Sequence, residues 1–274
     1  MRTRDTPRTS EAPGAWSRER LQLALAGAAV VLFVLAAGLA MIVFQFTDGG
    51  SQTPTPSVGT EEAAPASDPR DLIAASPMAT LDPGAATRPD PATDISPAIR
   101  IPGPVLGRGP AGVPVFGHTP EGAVAQLAAI NASVLEQMSV PQAREVHSAW
   151  VQPGGPSFEE WDLTQNVTAF LRGARQGASK DATTMVEVAP AGGLVKGVDG
   201  PDWVLACVLL DVESTIQTSY RMGWASCQRM QWTGERWQIG AGAQPAKAPS
   251  AWPGSKAARS AGWLSWTPEQ GSRP

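Results

Sequence analysis

Between Leu21 and Phe46 the chain runs for 26 residues without a charged side chain, and its only strongly polar members are Gln22 and Gln45. About 20 apolar residues carry a helix across the hydrocarbon core of a bilayer. A helix also satisfies its own backbone hydrogen bonds where lipid offers no partners. The stretch therefore predicts a transmembrane helix limited by Leu21 and Phe46. Arg2, Arg4, Arg8, Arg18 and Arg20 precede it, and no Lys or Arg follows until Arg70. Basic flanks stay cytoplasmic, so the N-terminus is expected inside and everything after residue 46 outside. The rival reading is a cleaved secretory signal, whose apolar region runs only about 7 to 15 residues; the greater length here predicts a retained anchor.

The rest of the chain divides by composition. Residues 1–20 form a basic cytoplasmic tail and residues 21–46 the span. Residues 47–100 hold nine prolines, few large apolar side chains and scattered acids. Such a stretch buries too little surface to offset its own ordering entropy, so it is expected to be a disordered, polyproline-like linker. At about 3.1 Å per residue it would reach on the order of 150 Å when fully extended. Residues 101–242 are expected to form one extracytoplasmic α+β domain, and residues 243–274 a Trp-containing C-terminal segment. From Ile101 onward there are 13 basic and 14 acidic side chains. A near-neutral domain offers no cationic footprint for a phosphate backbone, which excludes nucleic acid as the expected partner.

Within the domain, helices come first. Thr119 is placed to cap a helix that opens on Pro120 and Glu121. Val124, Leu127, Ile130, Val134 and Met138 recur at three- and four-residue steps along it. Pro141 starts a second helix through Trp150, and Pro153-Gly154-Gly155-Pro156 breaks it. Ser157-Phe158-Glu159-Glu160 has the form of a capping box and predicts a third helix from Ser157 to about Arg172. The period then shortens. Thr183 to Ala189 reads as a strand, Ala191-Gly192-Gly193 as a turn, and Leu194 to Val198 as the return. Trp203 to Val212 is a continuous apolar strand, and Ile216 to Trp232 is long enough for another, bent at Gly223. Thr233-Gly234-Glu235 is a hairpin turn leading to a strand at Arg236 to Ile239. Ser255 to Gly262 reads as a short helix. This order predicts an α+β fold with helices packed on a curved antiparallel sheet.

Three segments carry a resemblance: His118-Thr119-Pro120-Glu121-Gly122-Ala123-Val124, Cys227-Gln228-Arg229-Met230-Gln231-Trp232-Thr233-Gly234-Glu235-Arg236-Trp237, and Ala248-Pro249-Ser250-Ala251-Trp252-Pro253-Gly254. Together they resemble a family of uncharacterised actinomycete single-pass membrane proteins of integrative and conjugative elements. The order of elements also resembles the nuclear-transport-factor-2-like fold, as used by assembly factors of type IV secretion systems behind a single transmembrane helix. The resemblance implies a scaffold whose partners are the lipid bilayer, other membrane or envelope proteins and further copies of itself. It brings no catalytic residue and no cofactor.

The candidates for chemistry are few. Cys207 and Cys227 fall on expected neighbouring strands, on the oxidising side of the membrane. If the connection turns near Gln217 they lie opposite each other and a disulfide contributes roughly 3 kcal/mol; two buried free thiols are the alternative. His118 and His147 have no ligand-spaced partners, so no metal site is expected. Glu159, Glu160 and Asp162 surround Trp161, where acids complement a helix N-terminus. Asp211 and Tyr220 are the residues an enzyme would use, as an acid and a phenol sharing an apolar cone. Three functions follow as expectations: a non-enzymatic transfer or secretion scaffold, an envelope module binding glycan or a secreted ligand through its Trp residues, and a small-molecule enzyme.

Overall fold

The computed structural model describes residues 68–94 and 97–269. All of them belong to the second of two units into which the chain divides, Ala64–Pro274. The basic tail, the expected span at residues 21–46 and the linker up to residue 67 lie outside the described residues. Among the described residues no helix is long and apolar enough to cross a membrane.

The architecture is α+β, with helices packed on a curved, half-barrel mixed sheet. In chain order its elements are α1 (Pro69–Ala75), β1 (Ala98–Ile101), α2 (Pro120–Gln137), α3 (Val140–Trp150), α4 (Asp162–Gly173), β2 (Met185–Val198), β3 (Trp203–Thr215), β4 (Ser219–Trp232), β5 (Trp237–Ile239), α5 (Lys256–Ser260) and β6 (Leu264–Pro268), with short 3-10 turns at Pro83–Ala86 and Pro110–Gly112. The strands lie in the order β1-β6-β2-β3-β4-β5. The expectation of a purely antiparallel sheet is corrected at one edge, because β1 runs parallel to β6.

β3 explains the layers. Alternate side chains of a strand point to opposite faces. Val204, Ala206, Val208, Leu210 and Val212 join the main core with α2, α3 and α4. Trp203 and Leu205 meet Ile73 and Ala74, while Cys207 and Leu209 meet Met78, Leu81, Ala251 and Trp263. The run from Trp203 to Leu210 is apolar throughout because both faces are covered, the first by helices and the second by chain from each end of the described region.

That second cover corrects the linker. Its expected disorder to residue 100 does not hold for residues 68–94 and 97–100. Asp68 caps α1 through the Arg70 N–H, and Lys196 reaches the carbonyls of Ala74 and Ser76 at the end of that helix. Ala85 and Ala86 are buried. These residues are too few to make a core of their own, but a core face made by other strands gives them somewhere to bury. The C-terminal segment belongs to the same body, since β6 pairs with β1 and β2.

Thr119 caps α2 as expected, accepting from the Gly122 N–H at 2.9 Å. Ser157 does not cap the third helix. It closes a single turn, accepting from the Glu160 N–H at 3.3 Å, and α4 begins at Asp162. The buried Trp161 stays extended between the two, which lets its indole reach the core and postpones the helix. The expected turn at Ala191-Gly192-Gly193 is a bulge inside one long β2. Its glycines serve close approach: a Cβ on Gly193 would lie 2.8 Å from Val124 Cγ1. Gly223, where a bend was expected, leaves the β3–β4 register unbroken. A Cβ there would lie 1.7 Å from the Ala251 carbonyl oxygen.

Candidate functional site

The segment from Cys227 to Trp232 sits on β4, and each of its marked residues has a distinct task. Cys227 lies directly opposite Cys207 and is bonded to it, with the Cα atoms 4.0 Å apart. Of the two states left open by the sequence, the disulfide is therefore the one present. Arg229, two residues on, points to the same face and is only 5% exposed at its side chain. Its Nη2 donates to Asp71 Oδ1 at 2.7 Å and its Nε to the Ala243 carbonyl at 2.9 Å. One guanidinium thus ties the N-terminal and C-terminal covers to the sheet. Met230 turns the other way, into the helix-side core. Trp232 stacks on His118 with ring centroids 4.4 Å apart.

The third marked segment crosses the same strand. Ser250 Oγ accepts from the Ala225 N–H at 3.1 Å, and the Pro249 carbonyl accepts from Trp263 Nε1 at 2.9 Å. The three segments singled out in the sequence, remote along the chain, converge on β4. Sequence reasoning missed Arg229 and the cover it holds. The available signal was its spacing of two from Cys227, which places both on one face of a strand.

The titratable candidates do not converge. Asp211 lies on the covered face of β3, where Arg221 grips it with Nε at 2.7 Å from Oδ1 and Nη2 on Oδ2. That bond is the main reason Arg221 holds its proton even more firmly than a free arginine. Tyr220 faces the helix side and is 56% exposed. The acid and the phenol are on opposite faces of the sheet and share no pocket, which removes the pair that the enzyme reading invoked. His118 Nε2 meets Asp202 Oδ1 at 2.8 Å and the Pro201 carbonyl at 3.0 Å. His147 Nε2 meets the Pro156 carbonyl at 2.9 Å, its ring packed edge-on to Phe158 and Trp161. Glu160 accepts from Ser157 Oγ at 2.6 Å, and Asp162 starts α4. Among the described residues no group of three or more His, Cys, Asp or Glu is arranged to hold a metal ion.

Two openings flank β4. The first is an apolar cleft of about 270 Å³ between the end of α2, α4 and the far ends of β3 and β4. Leu135, Met138, Phe170, Val212, Tyr220 and Met222 shape it, and its lining contains no carboxylate, amine or imidazole. Met185, 58% exposed, pairs with Thr215 at the same end of the sheet, next to the exposed Ile216. The second opening, about 480 Å³, is more polar and lies beside the middle of β4, between α4 and residues 244–250. Of the Trp residues, Trp224 lines both openings. All ten but Trp16 are described, and each of those nine is buried or half-buried.

Comparison with known proteins gives no match: no family model, no curated protein and no solved structure matches this chain.

Proposed function

We propose that this protein is a non-enzymatic, membrane-anchored scaffold of a conjugative transfer or secretion apparatus. In this reading residues 21–46 hold it in the bilayer with the N-terminus in the cytoplasm, and the sheet domain works outside, as in the type IV secretion assembly factors with a nuclear-transport-factor-2-like fold. The observation that carries the reading is the apolar cleft under Tyr220 and Met222. It is an opening with apolar walls, open to solvent, whose lining holds no carboxylate, amine or imidazole and carries the Tyr220 phenol as its ionisable group. Such a cleft could take an apolar side chain of another molecule. Two of the titratable candidates are engaged in holding the fold, Asp211 by Arg221 and His118 by Asp202.

The test is in cells. Mild crosslinking of the full chain should recover other membrane components of the transfer machinery, and Phe170→Asp, which puts a charge in the cleft wall, should reduce that recovery at unchanged protein level. Recovery of the protein alone, together with undiminished transfer from a deletion strain, would overturn the scaffold reading. The glycan-binding alternative would use Trp224, which is half-buried and lines both openings, and retention of the full chain on purified cell wall would favour it over the scaffold.

A further inference from the structure

β4 ends its pairing early on one side. β5 accompanies it only at Met230, Gln231 and Trp232. From Gly240, whose N–H donates to the Arg229 carbonyl at 2.7 Å, the chain leaves the sheet. It comes back against β4 at Ser250, whose hydroxyl takes the Ala225 N–H. In an antiparallel strand alternate residues direct both backbone polar groups to the same side. The bonds at Arg229 and Ala225 show that the odd-numbered residues of β4 face away from β3. The close Cα approach of 4.0 Å at Cys207 and Cys227 fits the non-hydrogen-bonded pairing that this requires. The Cys227 N–H, the Cys227 carbonyl and the Ala225 carbonyl therefore point into the 480 Å³ opening, and none of them has a hydrogen-bond partner among the described residues. Asp162 and Asn166 form one wall and residues 244–250 the other; Lys247 and Asp162, both lining the opening, have no ion-pair partner among the described residues.

The fold treats its other incomplete edge differently. The first half of β2 has no strand on its outer side, but the Glu136 carboxylate lies within electrostatic reach of the Val188 N–H and Pro190 has no N–H to offer. Those are ordinary devices for blocking strand addition. β4 has no such block between Ala225 and Arg229.

We propose that this opening is a binding site for an extended peptide segment of a partner protein, which adds beside β4 as a further strand over three to four residues. The chemistry that recognises it is the alternation of backbone donor and acceptor at two-residue spacing, which an extended polypeptide matches. Lys247 and Asp162 then select for opposite charges on the segment's side chains. The inference rests on the scaffold reading only for the partner's being a protein.

The test uses the full chain in lipid nanodiscs and a phage-displayed library of random dodecapeptides as probe. Selected peptides are resynthesised with N-methyl groups on alternate amides, in the two possible phases. Strand addition predicts that one phase weakens binding about tenfold or more, through lost backbone hydrogen bonds, while the other changes it little. It also predicts that Ala246→Trp, or Lys247→Trp at the exposed rim, abolishes binding while the circular dichroism spectrum is retained. No enriched peptide, equal effects of the two methylation phases, or full binding to the folded Lys247→Trp variant would each overturn the proposal. Any of those results would leave the cleft and the crosslinking partners of the scaffold reading untouched.

Discussion

Arg229 shows how a single side chain can connect three parts of a chain. Its guanidinium is nearly removed from water, yet its carboxylate partner Asp71 is more than half exposed. Removing one member of such a pair leaves a buried charge unmatched, whereas replacing both with apolar groups can be nearly neutral. Asp71→Ala is expected to cost about 2 kcal/mol in urea unfolding, and adding Arg229→Met in that background should restore most of the loss. A double variant weaker than the single would refute this account. Glu136 gives a prediction of opposite character. Burial pushes its carboxyl above the ordinary value of 4.5, against the pull of Lys180 and the Val188 N–H. A folded-state value above the unfolded one means that stability is fullest at low pH and fades as pH rises through the folded value. Glu136→Gln keeps an acceptor for Val188 and removes the charge. Its thermal midpoint should match the parent at about pH 4 and exceed it at about pH 7; a gap that does not grow with pH would count against the assignment.

At the scale of elements, β3 is paired along its length with β2 on one side and β4 on the other. The disulfide joins β3 to β4 across a sequence separation of 20. Cys207→Ala with Cys227→Ala should lose roughly 3 kcal/mol. Intact mass should rise by two hydrogens on reduction of the unfolded chain, and reduction of the folded chain should be slow, because Cys207 is fully buried and Cys227 lies under Met78. The glycines of β2 and β4 mark where other chain crosses. Gly223→Ala sets a methyl against the backbone oxygen of Ala251, which cannot swing aside as a side chain would. It should destabilise by about 1–3 kcal/mol and expose residues 248–254 to protease before the rest unfolds. Gly193→Ala meets the Val124 side chain instead, and its cost should be smaller.

For the whole molecule, the decisive feature is that the sheet is covered on both faces by unlike material. Helices cover one face; two stretches with little secondary structure cover the other. A chain beginning at Pro97 would lose the cover over Trp203 and Leu205. Re-exposing each would cost about 2 kcal/mol. Such a chain should bind an apolar dye and associate, which light scattering would detect; a monomeric, fully stable truncation would show that residues 68–94 are dispensable. Topology has its own test. Protease added to intact cells should digest the sheet domain, and protection there with digestion only after lysis would place the domain on the other side of the membrane.

The sequence by itself determined the elements whose signals are local. Thr119 and Pro120 start a helix wherever they are placed, the apolar stripe from Val124 to Val134 gives it a buried side, and Gly234 closes the β4–β5 hairpin with a positive φ of 90°. It put Cys207 and Cys227 on neighbouring strands and opposite each other only if the chain turns near Gln217, a condition that the β3–β4 register meets. What only the tertiary structure decided was everything that depends on a surface made elsewhere. Residues 68–94 are poor in apolar side chains, so their composition reads as a linker, and they are ordered only because β3 offers an uncovered face. The Gly192-Gly193 pair reads as a turn, yet it lies within a strand because α2 and β6 pass too close for side chains. Asp211 and Tyr220 suggest a shared pocket until the register puts them on opposite sides of the sheet. Local propensity acts within a few residues, whereas burial depends on partners far along the chain, and no window of sequence contains both.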